Sequence, residues 1–246
     1  MQAGLTPQIL PAAADAVLVR FALRAEPQAM AAAQVMARQL DADTPEGVVE
    51  IAPALVSVLL RFDPAVVSRD DLVRALLPQA TAIAEQRPDP PPPLRRWTIP
   101  AVFGGEHGPH LDDVAGSLGL SPDQAVQQLC RADLRVLTIG FAPGQPYIGL
   151  LPPAWDLPRM ADLAPRVPAG AVVVAVRQIV MFGAASATGW RQVGCSAFRT
   201  FLPDRETPMP LRAGDAIRYS SIPAEEMAEL SKRSDGMGGA TVEVLE

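Results

Sequence analysis

The chain has 246 residues, 49% of them hydrophobic, and carries a formal net charge of −6 at pH 7. That length suits one large domain or two ordinary ones, while the acidic charge argues against a nucleic-acid partner, which requires a basic surface. No apolar run approaches the ~20 residues that span a bilayer. The first basic residue is Arg20, so no signal peptide is predicted. The default expectation is a cytoplasmic protein.

Lysine is scarce among the basic residues, because Lys232, in the polar end of the chain, is the only one in the sequence. An internal lysine for a Schiff base is therefore excluded, and so is a Walker-type phosphate loop, which needs one. The two cysteines, Cys130 and Cys195, are too few for a disulfide framework and are most simply core thiols.

The first part of the chain alternates between strand and helix patterns. These predict strands over 17–23, 48–51 and 55–62 and helices over 26–40 and 70–86. Ser68 and Asp71 provide the start signature of the second helix, and Pro78 is expected to kink it or end it early. This β-α-β-β-α order is one strand short of the ferredoxin-like pattern, and residues 95–99 are a candidate for the missing strand.

Five prolines stand within residues 88–93, a composition that favours polyproline II and is typical of a domain linker rather than of an SH3-type ligand. The predicted division is an N-terminal α+β domain over 1–87, a linker over 88–94, a second domain over 95–223 and a polar tail over 224–246. In the tail, a helix is expected over 224–230, and 241–245 predict a strand with no partner nearby.

Both histidines stand in one glycine-rich stretch after the linker. His107 and His110 are separated by Gly108 and Pro109, so they do not share a helical face, and a metal site is not favoured. Glu106 and His107 are expected on a flexible loop, where His107 could act as an acid or base near neutral pH. A loop histidine held by backbone hydrogen bonds is an equally good interpretation.

Two helices and then a mainly antiparallel β-structure are predicted after this stretch. The first helix begins near Pro109, with acidic residues in its first turn, and Ser121 caps the second, over 122–131. Short strands separated by proline and glycine are expected over 134–141, 171–176, 190–193, 198–201 and 216–219. This spacing is typical of a barrel or a sandwich.

Residues 140–149 alternate glycine and proline so closely that neither a helix nor a regular strand is expected to continue through them. A tight structural loop and a rigid wall of a ligand pocket explain this composition equally well. In the second case Tyr147 would supply a ring and a hydroxyl group.

Several of these stretches together resemble the KipI-like family, also called allophanate hydrolase subunit 1 or the 5-oxoprolinase B subunit. The matching stretches are 104–109 (G-G-E-H-G-P), 119–122 (G-L-S-P), 140–144 (G-F-A-P-G), 146–147 (P-Y), 166–170 (R-V-P-A-G), 189–190 (G-W) and 210–215. They follow the family's order, and residues 47–50 add a weaker match in the first domain. The resemblance implies an α+β fold, with the N-terminal domain followed by a cyclophilin-like β-barrel domain.

The resemblance further implies the B subunit of an ATP-dependent 5-oxoprolinase, which opens 5-oxo-L-proline to L-glutamate together with A and C subunits. ATP, as Mg-ATP, would belong to the complex, because no recognisable nucleotide motif occurs in this chain. Phosphorylation of the lactam oxygen would make attack by water feasible, and positioned donors would stabilise the developing oxyanion. The chain alone is expected to be inactive.

Seven residues are candidates for such a site, two as catalytic and five as substrate-binding groups. They are Glu106, His107, Tyr147, Arg166, Gln178, Ser186 and Trp190. Glu106 or His107 would move protons, Arg166 would hold a carboxylate or phosphate, and Gln178 would orient an amide. Structural roles remain open, since Trp190 also suits a barrel core and Arg166 an ion pair.

The sequence departs from the family pattern at residues 176–183, where the usual G-G-Q-T-G-I-Y-P is V-R-Q-I-V-M-F-G. Gln178 is kept, but Ile179 and Val180 replace small or polar residues and Phe182 replaces a tyrosine. A pocket with these changes would be more apolar on one wall and would lack a hydroxyl group. Either the ligand differs or this copy is mainly structural.

Two other functions fit the same resemblance. The barrel also resembles part of urea carboxylase, so one alternative is a carboxyltransferase-like subunit of a urea-carboxylase/allophanate pathway, with biotin carried by another chain. The other is a non-enzymatic inhibitor of a histidine kinase, which is the role of KipI and needs only a protein-binding surface. Prolyl isomerase activity is not inferred, because fold likeness does not carry function.

Overall fold

The proline run at 88–93 marks the point where the chain divides into two units, Met1–Pro92 and Pro93–Glu246. The structure is a computed structural model that describes residues 5–245. Within those residues, no helix is both long enough and apolar enough to span a membrane.

The first unit is a four-stranded antiparallel sheet with two helices. Its elements are β1 (Gln8–Ala13), β2 (Ala16–Arg20), α1 (Pro27–Ala42), β3 (Val48–Pro53), β4 (Ser57–Phe62) and α2 (Arg69–Gln86). The strand order is β1-β2-β4-β3. The core consists of inward-facing strand residues such as Val17 and Leu60 together with one face of each helix, represented by Met36 and Leu76.

The ferredoxin-like arrangement predicted for this unit is not confirmed in its chain order. The predicted β-α-β-β-α series is present, but the additional strand is β1, which precedes the series and lies at the sheet edge beside β2. The assignment of residues 95–99 as the missing strand is wrong, because they pair with strands of the second unit. An exposed strand containing Pro11 and two alanines gave no alternating apolar signal.

Helix α2 begins as its sequence predicts and reaches the predicted end at Gln86. The Ser68 side chain accepts a hydrogen bond from the Asp71 backbone N–H at 3.1 Å, which satisfies one of the unpaired donors of the first turn. The expectation that Pro78 would end the helix early is wrong, since the helix continues to Gln86. Pro78 is exposed, so water can bond the carbonyl group that a proline leaves without its helical donor.

The second unit contains ten strands and three α-helices within the residues that the structure describes. They are β5 (Arg95–Phe103), α3 (Leu111–Leu118), α4 (Pro122–Arg131), β6 (Leu134–Ile139), β7 (Pro146–Gly149), β8 (Ala164–Val167), β9 (Ala171–Ala175), β10 (Gln178–Met181), β11 (Ser186–Thr188), β12 (Arg191–Cys195), β13 (Ala216–Ser221), α5 (Ala224–Leu230) and β14 (Thr241–Val244). Ser121 caps α4 in a complete capping box, as predicted.

Seven of these strands close into a barrel, which confirms the predicted barrel. The order is β12-β9-β10-β7-β6-β13-β5, and β5 returns to β12 through the pairs Gly194 with Phe103 and Cys195 with Val102. All neighbours are antiparallel except β13 and β5. Strands β8 and β11 form a separate two-stranded ribbon.

Two segments of the second unit differ from their predicted structure. Residues 198–201 are not a strand: Phe198 is fully buried and its ring lies 5.5 Å from that of Trp97, so its apolar signal comes from a loop anchored in the core. The predicted polar tail forms α5 as expected, and its last strand has a partner. Strand β14 pairs with the first half of β5, from Thr241 opposite Thr98 onward.

A buried carboxylate joins the parallel strands β5 and β13 at their beginnings. Asp215 receives two hydrogen bonds from Arg95, at 2.9 and 2.5 Å, and one from the Trp97 indole N–H at 3.1 Å. The Arg212 backbone N–H donates to the same carboxylate at 2.8 Å. Both oxygens are therefore bonded, which is the condition under which a buried charge is tolerated.

Replacing Asp215 with alanine is expected to lower the free energy of unfolding of the second unit by about 3–5 kcal/mol, because it leaves the Arg95 guanidinium group without its partner in a largely buried place. All three tryptophans lie in the second unit, so urea unfolding followed by tryptophan fluorescence reports on that unit. The control is Asp41→Ala, at an exposed position of α1. Equal unfolding curves for the two variants would contradict this role of Asp215.

Candidate functional site

The outer face of one side of the barrel is apolar and covered. Along β9, Val172 and Val174 point into the barrel core, while Val173 belongs to a second cluster outside it. On β10 and β7 the pair Val180 and Tyr147 lies at the same register and joins that outer cluster. Since side chains alternate across a strand, this wall is buried on both faces and needs a cover.

The β8–β11 ribbon and the residues that follow it supply that cover. Val167 of β8 and Trp190, just after β11, pack in the outer cluster. The Trp190 backbone N–H donates to the Thr188 hydroxyl at 3.1 Å, which holds the ribbon end in place. The strands β8 and β11 are too short to show an alternating pattern of apolar and polar residues, so the sequence did not predict them.

A pocket of about 240 Å³ lies between this ribbon end and the proline turn. It is lined by Phe141, Gln145, Tyr147, Arg159, Leu163, Val180, Phe182, Ala187, Thr188, Gly189 and Trp190. The Tyr147 and Trp190 rings meet edge to face, with centroids 6.1 Å apart, a favoured geometry for aromatic pairs. The proline turn therefore does form one wall of a hollow.

Arg159 supplies the positive charge of the pocket. Its guanidinium carbon lies 5.6 Å from the centre of the Trp190 ring, within the range of a cation–π contact. The loop that carries Arg159 is anchored by hydrogen bonds on both sides of this residue. The Met160 backbone N–H donates to the Gly189 carbonyl at 2.7 Å. The Arg191 guanidinium group donates to the Pro158 carbonyl at 2.5 Å. No acidic residue is among the described residues that line the pocket.

The proline turn is closely packed at its base and presents an aromatic ring at its tip. A Cβ atom on Gly144 would lie 2.4 Å from the Thr200 carbonyl oxygen, and its φ is +67°, so only glycine fits there. Phe141 has a φ of 69° and is 80% exposed. A bulky residue held in the left-handed region is strained, and such strain concentrates at functional sites. After the turn, the chain resumes a strand at Pro146, contrary to prediction.

Of the five predicted substrate-binding residues, the structure brings two together in the pocket, Tyr147 and Trp190. Gln178 lies on the same outer face, over Gly149, two residues from Val180, and does not line the pocket. Ser186 and Arg166 stand on the covering ribbon, Ser186 half-buried opposite Val167 and Arg166 exposed. None of these three lines the pocket.

The two predicted catalytic residues lie on a loop that is fastened to β12. The Gly104 N–H donates to the Val193 carbonyl at 3.0 Å, and the Gln192 side chain donates to the His107 carbonyl at 2.8 Å. Gln192 follows Trp190 by two residues, so the loop is anchored beside the pocket wall. The Glu106 side chain is 87% exposed, that of His107 is 28% exposed, and the His107 Nε2 lies 3.7 Å from the Glu106 Oε1.

His110 has a structural position in the same loop. Its Nδ1 accepts a hydrogen bond from the Gln192 backbone N–H at 3.0 Å, and its own backbone N–H donates to the Gln192 carbonyl at 3.0 Å. A Cβ atom on Gly108 would lie 2.0 Å from the Val193 carbonyl oxygen. The G-G-E-H-G-P stretch is therefore shaped by close backbone contact with β12, which its glycine content allows.

The departures at 176–183 fall partly on the pocket wall. Val180 and Phe182 line the pocket, whereas Ile179 points into the barrel core. The wall formed by β10 is therefore apolar, and its aromatic residue carries no hydroxyl group.

Burial raises the pKa of the Cys130 and Cys195 thiols, which disfavours the thiolate needed by a nucleophilic cysteine.

Sequence reasoning missed Arg159, Gln145 and Thr188. Arg159 stands in an irregular loop between prolines, where no periodicity indicates which way a side chain points. Gln145 stands two residues before Tyr147 in the proline turn. Its side chain is almost completely buried, which the sequence did not predict for a polar amide. The polar chemistry of the pocket thus consists of one cation, one phenol, one amide and one hydroxyl group, a set that can hold an anion bearing hydrogen-bonding groups.

A family model and the sequences of known proteins indicate related assignments for this chain. The family model of the carboxyltransferase domain, subdomain C and D, matches residues 7–211. A segment of 135 residues is 38% identical to the 5-oxoprolinase B subunit of Escherichia coli O157:H7 and covers 55% of this chain and 61% of that protein, less than two thirds of its length. Over 234 residues the chain is 27% identical to the 5-oxoprolinase B subunit of Bacillus subtilis strain 168. This match covers 90% of this chain and 95% of that protein.

Solved structures agree with this assignment. The protein TTHA0988 is 32% identical with a TM-score of 0.71, and 85% of this chain matches 40% of that one. The urea carboxylase of Kluyveromyces lactis has a TM-score of 0.71 at 16% identity, over 97% of this chain and 24% of that enzyme, and so shows a shared fold. The chain belongs to the family of the carboxyltransferase domain, subdomain C and D, and it is similar to the 5-oxoprolinase B subunits of two bacteria.

Proposed function

We propose that this chain is the B subunit of an ATP-dependent 5-oxoprolinase, acting with A and C subunits to open 5-oxo-L-proline to L-glutamate. The observation that carries the proposal is the pocket between the proline turn and the ribbon, where Arg159 lies over Trp190. The names of the bacterial relatives, one of which matches along 95% of its length, support the same interpretation.

The substrate chemistry fits this pocket. 5-Oxo-L-proline is a flat lactam ring bearing one carboxylate, and a guanidinium group pairs with a carboxylate through two parallel hydrogen bonds. Arg159 would hold the carboxylate, while Tyr147 and Trp190 would contact the ring. The volume of about 240 Å³ suits a small molecule, and the apolar wall of Val180 and Phe182 would exclude water from one face of the lactam.

The reaction needs groups that this pocket lacks. A lactam carbonyl is a poor electrophile, and phosphate transfer from ATP to its oxygen would open its carbon to attack by water. The ring C–N bond would then break, the nitrogen would take a proton, and a second water would release inorganic phosphate. The pocket rim carries two exposed apolar residues, Phe141 at 80% and Leu163 at 68%. Exposed large apolar side chains that lie at one site mark a surface for a protein partner, so a cyclophilin-like domain of the C subunit would close the pocket over the substrate.

Glu106 and His107 are the candidates in this chain for proton transfer. Their loop is fastened beside Trp190 through Gln192, and both side chains have access to solvent. A partner closing the pocket would bring substrate and loop into one enclosed site. In that site His107 or Glu106 would move protons to and from the substrate.

The family description supports one further candidate function, carboxyl transfer. The matching model is named for a carboxyltransferase domain, and the pocket would then hold the carboxyl acceptor. The two functions differ in substrate: the oxoprolinase complex consumes 5-oxoproline and ATP, whereas a carboxyltransferase needs a biotin carrier. Assaying the chain with each set of partner subunits separates them.

Replacing Arg159 with alanine is expected to raise the KM for 5-oxoproline by about tenfold or more in the reconstituted three-subunit complex, with little change in kcat, because it removes a contact made equally in ground and transition states. Glutamate formation and ATP hydrolysis are both measured. Arg159→Lys should recover part of the affinity. Arg24→Ala, at an exposed position of the first unit, is the control, and an unchanged KM for Arg159→Ala would refute the carboxylate contact.

Replacing His107 with alanine is expected to lower kcat by about a hundredfold or more and to leave the KM near its original value, as for loss of a general acid–base group. Glu106→Gln should lower kcat less. Rates are measured across the range in which histidine titrates in the same complex. If both variants keep full kcat at every pH, neither residue moves protons in the reaction.

A further inference from the structure

A second hollow in the same unit is lined by arginines. It has a volume of about 670 Å³ and shares no lining residue with the pocket described above. Its lining residues are Pro93, Arg96, Cys130, Arg131, Ala132, Asp133, Leu134, Arg135, Ala216, Ile217 and Arg218. Four are arginines and one is acidic, in a chain whose net charge is −6. A positive hollow on an acidic protein calls for a physical explanation.

The sheet register places three of these arginines on one face. Ala216 of β13 lies opposite Arg96 of β5 on one side and opposite Arg135 of β6 on the other. Residues at the same register point to the same face, and strands are spaced about 4.8 Å apart, so Arg96 and Arg135 flank the small Ala216. Arg218 follows two residues along β13, which returns its side chain to this face.

Helix α4 contributes the fourth arginine at its end. Arg131 is the last residue of α4 and is partly exposed, and Arg218 is exposed. Arg96 has a carboxylate partner, Glu243 of β14, at 2.7 Å. Within the described part of the chain, no carboxylate lies within ion-pair distance of Arg131 or Arg218. These two guanidinium groups are therefore available to a ligand.

We propose that this arginine hollow binds a small oligophosphate anion. Like charges gathered around one space repel each other, and a ligand with several negative charges removes that cost. Phosphate groups accept paired hydrogen bonds from the planar guanidinium group, which makes arginine the preferred residue for them. The volume lies within the range of small-molecule sites, and the floor of Ala216 leaves room above the sheet for phosphate oxygens.

The oligophosphate comes either free or as part of a nucleotide, and the two sources share the same chemistry. Binding is measured by isothermal titration calorimetry on the full chain alone, in a buffer without phosphate, with tripolyphosphate, ATP, inorganic phosphate and a polyglutamate peptide as separate titrants. The inference does not depend on the proposed oxoprolinase activity, since no partner subunit takes part. Loss of activity in the complex and loss of anion binding are therefore distinguishable.

Tripolyphosphate is expected to bind the wild-type chain. The double variant Arg131→Ala/Arg218→Ala is expected to bind it about a hundredfold more weakly, because each lost charged contact weakens binding by about tenfold. Affinity should also fall as sodium chloride rises. The control Arg24→Ala/Arg74→Ala removes the same charge from exposed positions of the first unit and should keep wild-type affinity. Circular dichroism checks that each variant is folded.

The titrants identify the source and include the outcomes that overturn the proposal. Equal affinity for tripolyphosphate and ATP indicates a site for the phosphates alone, and tighter binding of ATP indicates a nucleotide site. Absence of binding by both, or equal affinity of wild type and the Arg131→Ala/Arg218→Ala variant, overturns the proposal. So does binding of a polyglutamate peptide with no binding of tripolyphosphate, which would make the hollow a docking site for an acidic protein segment.

Discussion

Closure of the seven-strand barrel is the constraint on which the rest of the second unit depends. Its interior is filled by side chains from every barrel strand, among them Trp97, Ile148, Ile179 and Tyr219. Small barrels pack their interiors with side chains and leave no channel. The two hollows described above lie on the outer face, where helices, loops and the ribbon pack against the strands.

The two hollows differ in chemistry because different strands form their walls. Outside β9, β10 and β7 the wall is apolar, and it is covered by the ribbon, by Trp190 after it and by Arg159 in the loop before it. Outside β6, β13 and β5 the small Ala216 stands between long basic side chains. The first surface suits a small carboxylate with a ring, and the second a compact, highly charged anion. Asp215 fixes the start of the parallel pair that forms the second wall.

Local patterns predicted what depends on neighbouring residues. The capping box at Ser121 and most of the barrel strands after it follow from turn chemistry and alternation. The composition of the proline turn fitted a structural loop and a pocket wall equally well, and the structure shows the pocket wall. Pairings between distant segments were not predictable: β14 joins β5 across more than a hundred residues, and β1 lacks an apolar alternation because it is an exposed edge. Arg159 was missed for a related reason, since an irregular loop gives no direction to a side chain, whereas Tyr147 and Trp190 stand close to glycines that mark close packing.

The central claim is that 5-oxoproline binds on the outer face of the barrel, against Trp190. The most direct measurement is ¹⁹F NMR of this chain labelled with 5-fluorotryptophan, within the reconstituted complex, as 5-oxoproline is added. The chain holds three tryptophans, and Trp97 and Trp155 belong to the barrel core. The account predicts that the Trp190 signal shifts and saturates while the other two stay in place. A complex that turns over substrate while the Trp190 signal remains unchanged at saturation would contradict it.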